Sequence, residues 1–90
     1  MNILWTDNAL QDLDQIEDYI SQDNASAAVR MLKSLRDAIG HLAKFPEMGR
    51  TGKMGGTREL VVRPYIIQYK IDKDRVVILA LVHGARKWPD

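Results

Sequence analysis

The apolar residues of this chain change their period at Phe45-Pro46. Before that point large apolar side chains recur every three or four residues: Leu10, Leu13, Ile16 and Ile20, joined by Tyr19, then Val29, Leu32, Leu35, Ile39 and Leu42. That spacing lines one face of a helix and predicts two amphipathic helices. After it the alternation is every second residue, with Tyr65, Ile67, Tyr69 and Ile71 on one side and Ile66, Gln68 and Lys70 on the other. This is the period of a strand. A chain that changes period once segregates its helices from its strands, which predicts an α+β fold.

Local signals bound the elements. Asn2 to Trp5 reads as a short strand, and the side-chain oxygen of Thr6 or Asp7 can accept from the first turn of a helix. Gln22-Asp23-Asn24 is turn chemistry. The second helix runs from about Ala25 and ends at Phe45-Pro46, since a residue before proline avoids the helical region. Glu47 to Gly56 reads as a glycine-rich loop. Three strands are predicted after it: Thr57–Arg63, Tyr65–Ile71 and Val76–His83, with Pro64 between the first two and Asp72-Lys73-Asp74-Arg75 as a hairpin turn. The expected architecture is one domain, residues 1–90, in which a helical hairpin covers one face of an antiparallel sheet and leaves the other partly open.

Composition excludes several classes. The chain has no cysteine, so it has neither a disulfide framework nor a thiolate metal site. No apolar run nears the ~20 residues of a membrane span, and MNILWTDNAL lacks the features of a signal peptide. The expectation is a cytoplasmic protein with no membrane partner. Charge is split along the chain: residues 1–49 carry four cations against eight acids, and residues 50–90 carry nine cations against four acids. A basic half of this kind suits an anionic partner.

The chemistry-bearing motifs are few. GRTGKMGG invites a phosphate-loop reading, but Glu47 stands where the first glycine belongs and Met54 where the hydroxyl residue belongs. His41 and His83 have no ligand partners at metal-binding spacing, and Ser21, Ser26 and Ser34 lie with the helices, away from His83. No metal and no cofactor is expected. The acidic face of the first helix (Asp12, Asp14, Glu17, Asp18) has the periodicity of a solvated face. The basic cluster stands apart. Arg50, Lys53, Arg58, Arg63, Arg86 and Lys87, with His83 and Trp88, join arginine forks that match phosphate or carboxylate oxygens, a proton-shuttling imidazole and a large indole. These are the candidate residues for binding a target or nucleic acid. Trp88 reads equally as a stacking or pocket-filling contact and as a lid on the core.

The order strand–helix–helix–strand–strand–strand, the run TRELVVRPYIIQYKID and the ending VILALVHGARKWP resemble the RelE/ParE superfamily of bacterial toxins, also called plasmid stabilisation proteins. The most specific parts are REL–PY-I-Y over residues 58–69 and HGAR-WP over residues 83–89. The resemblance implies the toxin of a type II toxin–antitoxin pair. It implies a cognate antitoxin as partner, with operator DNA bound through the complex. RelE-like members cut mRNA on the ribosome without a metal, and on that reading His83 and Arg86 are the catalytic candidates. ParE-like members instead inhibit DNA gyrase. The middle-strand position where RelE-like nucleases carry an arginine, three before Tyr69, is Ile66 here. Charge stabilisation and acid–base help each contribute roughly two to four orders of magnitude, so this departure favours the gyrase reading, with the mRNA endoribonuclease as the alternative.

Overall fold

The computed structural model describes residues 1–84. Its elements are β1 (Asn2–Trp5), α1 (Asp7–Ser21), α2 (Ala25–His41), β2 (Arg50–Thr51), β3 (Thr57–Val62), β4 (Tyr65–Asp72) and β5 (Arg75–His83). The α+β expectation holds: α1 and α2 pack as a hairpin on one face of a five-stranded sheet ordered β1-β5-β4-β3-β2. Arg86, Lys87 and Trp88 lie outside the described residues.

The sheet is mixed where an antiparallel one was expected. β3, β4 and β5 pair antiparallel, but β1 runs parallel to β5. Parallel neighbours need a long crossover, and here the helical hairpin with β2–β4 supplies it. A two-residue strand, β2, also forms inside the predicted glycine-rich loop.

The helix ends follow their caps. The Thr6 hydroxyl accepts from Ala9 N at 3.1 Å and Asn24 Oδ1 accepts from Ala27 N at 3.0 Å. Burial follows an interval of four, three, four residues: Ala9, Leu13, Ile16 and Ile20 on α1, then Ala28, Leu32, Leu35, Ile39 and Leu42 from α2 onward. Each stripe starts on an alanine, where small side chains let backbone and neighbour approach. Leu10, Tyr19 and Val29, expected in the stripes, are instead exposed. Each lies one position off, about 100° around the helix. On the solvated face of α2, Lys33 donates to Asp37 at 2.8 Å, and this bond with the carboxylate charge raises the Lys33 pKa.

The β1–β5 pairing stops at Trp5, and α1 takes over the edge of β5 that β1 leaves. Leu79 is bulged: Gln68 pairs with Ala80 and Tyr69 with Ile78, so Leu79 has no cross-strand partner. The Thr6 hydroxyl donates to Ile78 O at 2.7 Å, Asn8 Nδ2 donates to Leu79 O at 3.0 Å, and Asp12 Oδ2 accepts from Leu81 N at 3.0 Å. Asp12 therefore belongs to the helix–sheet junction and not to the solvated acidic face. Thr6 serves two elements at once, so Thr6→Ala is expected to destabilise by about 2 kcal/mol, the sum of a lost cap and a lost part-buried hydrogen bond, while the Thr6 N–H keeps its own bond to Ile78 O. A thermal melt lower by roughly 8–16 °C is the corresponding measurement.

Candidate functional site

Register decides which side chains share the face turned away from the helices, here called the open face because no element among the described residues covers it, since cross-strand partners point the same way. Tyr65, Ile67 and Tyr69 face the helices, and with them go Val62, Leu60 and Arg58 of β3 and His83, Leu81 and Ile78 of β5. The open face carries Thr57, Glu59 and Val61 of β3, Ile66, Gln68 and Lys70 of β4, and Ala80 and Val82 of β5. Its centre is Glu59 with Gln68 and Val61 with Ile66: a carboxylate, an amide and two apolar side chains.

Glu59 is nearly buried, and its Oε1 accepts from Arg50 Nε at 3.1 Å and Nη2 at 3.0 Å. The Arg50 side chain stays 61% exposed. One flank of the guanidinium is thus tied to the sheet while the rest meets solvent. Arg58 is on the other face, under the segment that leads into β2. Its Nη1 donates to Gly49 O at 2.9 Å and Glu47 O at 3.3 Å. Beside it the Tyr69 hydroxyl donates to Pro46 O at 2.7 Å and accepts from Gly49 N at 2.9 Å. The expected loop is therefore a pinned segment. The Gly52 N–H goes to Thr57 O and the Thr57 N–H to Met54 O, so this hairpin keeps both donors for itself.

The structure divides the predicted basic cluster. Lys53 is exposed in the β2–β3 connection, and Arg63 is exposed in the β3–β4 turn. They flank opposite ends of β3, a strand that itself spans roughly 17 Å. His83 is half-buried at the end of β5, its ring edge-on to Tyr65 with centroids 5.5 Å apart. It shares an end of the sheet with Arg63, where Gly84 N donates to Pro64 O at 2.7 Å, but its side chain faces the helices. Among the described residues no group of three or more His, Asp or Glu is placed to hold a metal ion. No helix among them is long and apolar enough to cross a membrane.

A second feature escaped the sequence reading. Ile3 and Trp5 of β1, Leu10 and Leu13 of α1 and Arg36, Ile39 and Gly40 of α2 line a groove of about 320 Å³ at the β1 edge of the sheet. Its walls are apolar except for Arg36. A Cβ on Gly40 would meet nothing within 4 Å. Glycine in a helix costs up to about 1 kcal/mol relative to alanine. Gly40 needs neither a positive φ nor close packing, and a glycine inside a helix is all that the sequence shows of the groove.

The model of the family described as ParE toxin of the type II toxin–antitoxin system parDE matches residues 3–88. The chain belongs to the ParE toxin family. It is 44% identical over 89 residues to the protein named toxin Y4kP of Sinorhizobium fredii, covering 97% of this chain and 92% of the relative. It is 40% identical over 84 residues to Toxin RelE2 of Caulobacter vibrioides, covering 93% and 96%. A structure of the chromosomal ParDE system from P. aeruginosa superposes with a TM-score of 0.81 at 23% identity, over 92% of this chain and 95% of that one. The toxin–antitoxin complex RelBE2 from Mycobacterium tuberculosis gives a TM-score of 0.61 at 26% identity, over 91% and 95%. The protein is the toxin of a type II toxin–antitoxin system, within the ParE/RelE superfamily.

Proposed function

We propose that this toxin arrests growth in the ParE manner, by protein contact with DNA gyrase, and that it is not a ribosome-dependent nuclease. The observation that carries the reading is the centre of the open face. Cleavage of a phosphodiester builds negative charge on the phosphate, and a nuclease face answers it with cations. Here Glu59, already paired with Arg50, sits beside Gln68 at the middle of that face, the cation Lys70 lies two residues further along β4, and Ile66 occupies the position across from Val82. A carboxylate there repels a phosphate, and His83 faces the helices, away from Glu59 and Lys70. Arg63, Arg86, Lys87 and Trp88 remain candidates for target contact, and Arg58 acts as a strut for the segment above it.

The cognate antitoxin docks in the groove of Ile3, Trp5, Leu10 and Ile39, with an apolar side chain inside and a carboxylate on Arg36. Charge and apolar complementarity support this placement. Operator DNA is then bound through the complex.

The test of the target is pulse labelling after induced expression without antitoxin, following thymidine and methionine over the first minutes. The expected result is that DNA synthesis stops first and a DNA-damage response rises. Collapse of protein synthesis with continuing DNA synthesis overturns the gyrase reading and assigns the chain to the mRNA-cleaving branch.

A further inference from the structure

At the β2 end of the sheet, large apolar side chains stand in solvent on a segment that is firmly held. Phe45 is 62%, Met48 45% and Met54 69% exposed. Lys44 and Lys53 are exposed among them, and the Arg50 guanidinium emerges from its bond to Glu59. Beneath the segment, Tyr69 and Arg58 bind the backbone at Pro46, Glu47 and Gly49. Gly49 leaves no room for a side chain: a Cβ there would lie 2.6 Å from the Tyr69 hydroxyl oxygen.

A solvated connection needs neither feature. Exposed Phe and Met are unfavourable in water unless something covers them. Pinning fixes the backbone that carries Phe45 and Met48, and Met54 is held in its own turn by Thr57, whose N–H and hydroxyl donate to Met54 O, so the patch is ordered before any partner arrives and the ordering cost of association falls. Phe, Met and Arg are enriched in the cores of protein interfaces, and methionine adapts its shape to a partner. Lys44, Arg50 and Lys53 outnumber Glu47, the exposed acid within the segment, and that excess specifies the sign of the partner. β2 is also the last strand of the sheet, so its outer edge adds unpaired backbone groups to the surface.

We infer that Phe45, Met48 and Met54, with Arg50 and Lys53, form the surface by which the toxin grips its target, and that the complementary surface is an acidic patch on a protein. The inference rests on the reading of the chain as a toxin that acts by protein contact. The occupant is taken to be the target and not the antitoxin because the groove proposed above for the antitoxin lies at the β1 edge, so the assignment rests on that proposal as well. β1 and β2 are the opposite edges of the sheet, four strand spacings or roughly 19 Å apart.

The test uses the full chain carrying Met48→Ser with Met54→Ser, and separately Lys53→Glu and Lys53→Arg. Each is induced alone to score growth arrest, then co-expressed with the tagged cognate antitoxin to score co-purification. Melting temperatures come from the purified complexes. The expected result is that the serine pair and Lys53→Glu need about tenfold or more toxin for arrest. Lys53→Arg remains toxic, and all three variants co-purify with antitoxin and melt as the parent does. Arrest by Lys53→Glu at parental levels overturns the inference. So does loss of antitoxin co-purification in that charge variant, which gives the surface to the antitoxin instead. Should the serine pair melt early, the two Lys53 variants decide, since Lys53 makes no contact that the fold requires. The gyrase reading stands or falls separately, on which synthesis the parent stops first.

Discussion

Gly49→Ala is expected to destabilise the protein by about 3 kcal/mol, the largest effect foreseen for a single methyl group. A Cβ at this position lies 2.6 Å from the Tyr69 hydroxyl oxygen, 2.8 Å from the Glu59 carbonyl oxygen and 2.8 Å from Tyr69 Cε1. One of these atoms is backbone in the middle of β3, and another belongs to a fully buried ring. Neither moves cheaply, so the segment itself must lift. Lifting breaks the bond from Gly49 N to the Tyr69 hydroxyl and the bond from Arg58 to Gly49 O. Overpacking alone costs roughly 1–3 kcal/mol, and a hydrogen bond to a charged group about 1.5–3 kcal/mol. The melting temperature should fall by roughly 12–24 °C. Gly55→Ala is the control, since a Cβ there meets nothing within 4 Å, and it should melt within about 0.5 kcal/mol of the parent. Tyr69→Phe removes the hydroxyl without adding bulk and should cost about 2 kcal/mol, from a buried donor and an acceptor left unpaired. A Gly49→Ala melt within a few degrees of the parent would show that the segment is not clamped as described.

Gly40→Leu is expected to separate stability from neutralisation. The added side chain has space to grow, for nothing lies within 4 Å of the Cβ, and it grows at the wall of the groove lined by Ile3, Trp5, Leu10 and Ile39. Within the last turn of α2 it replaces glycine by a good helix former, which stabilises by up to about 1 kcal/mol. The free toxin should therefore melt no lower than the parent and remain toxic. On the proposed docking the antitoxin would lose the volume for its apolar side chain, and loss of a buried anchor of this kind costs at least about 2 kcal/mol, roughly thirtyfold in affinity. Titration of antitoxin into the purified variant measures that loss directly, and failure of co-expressed antitoxin to restore growth reports it in cells. Gly40→Ala adds too little to fill the groove and should bind as the parent does. Parental affinity in Gly40→Leu would place the antitoxin elsewhere on the surface.

These two glycines mark a limit of sequence reading. In the sequence Gly49 belongs to a glycine-rich loop and Gly40 interrupts a helix, and neither signals its surroundings. What Gly49 meets comes from β3 and β4, and what Gly40 opens onto comes from β1 and α1. Arg58 shows the same limit. Its charge is visible in the sequence, but strand register turned it toward the helices and gave it backbone carbonyls to hold.

Local periodicity and capping chemistry did determine much. They placed both helices, a cap at Thr6 or Asp7, the turn at Gln22–Asn24, the three main strands and the two-residue hairpin at Lys73-Asp74, where Lys73 adopts φ 59°; the structure chose Thr6 as the cap and ended α2 at His41, short of the expected Phe45-Pro46. Those features depend on neighbours within about four residues, and such neighbours can be read in order. The family also was legible, because its motifs are contiguous runs. Tertiary structure alone decided that β1 runs parallel to β5, that Asp12 binds Leu81 N, that His83 and Glu59 lie on opposite faces, and that a groove opens at the β1 edge. Each joins residues far apart in the chain. A strand's period states that two faces exist, and only packing against the helices decides which face is covered.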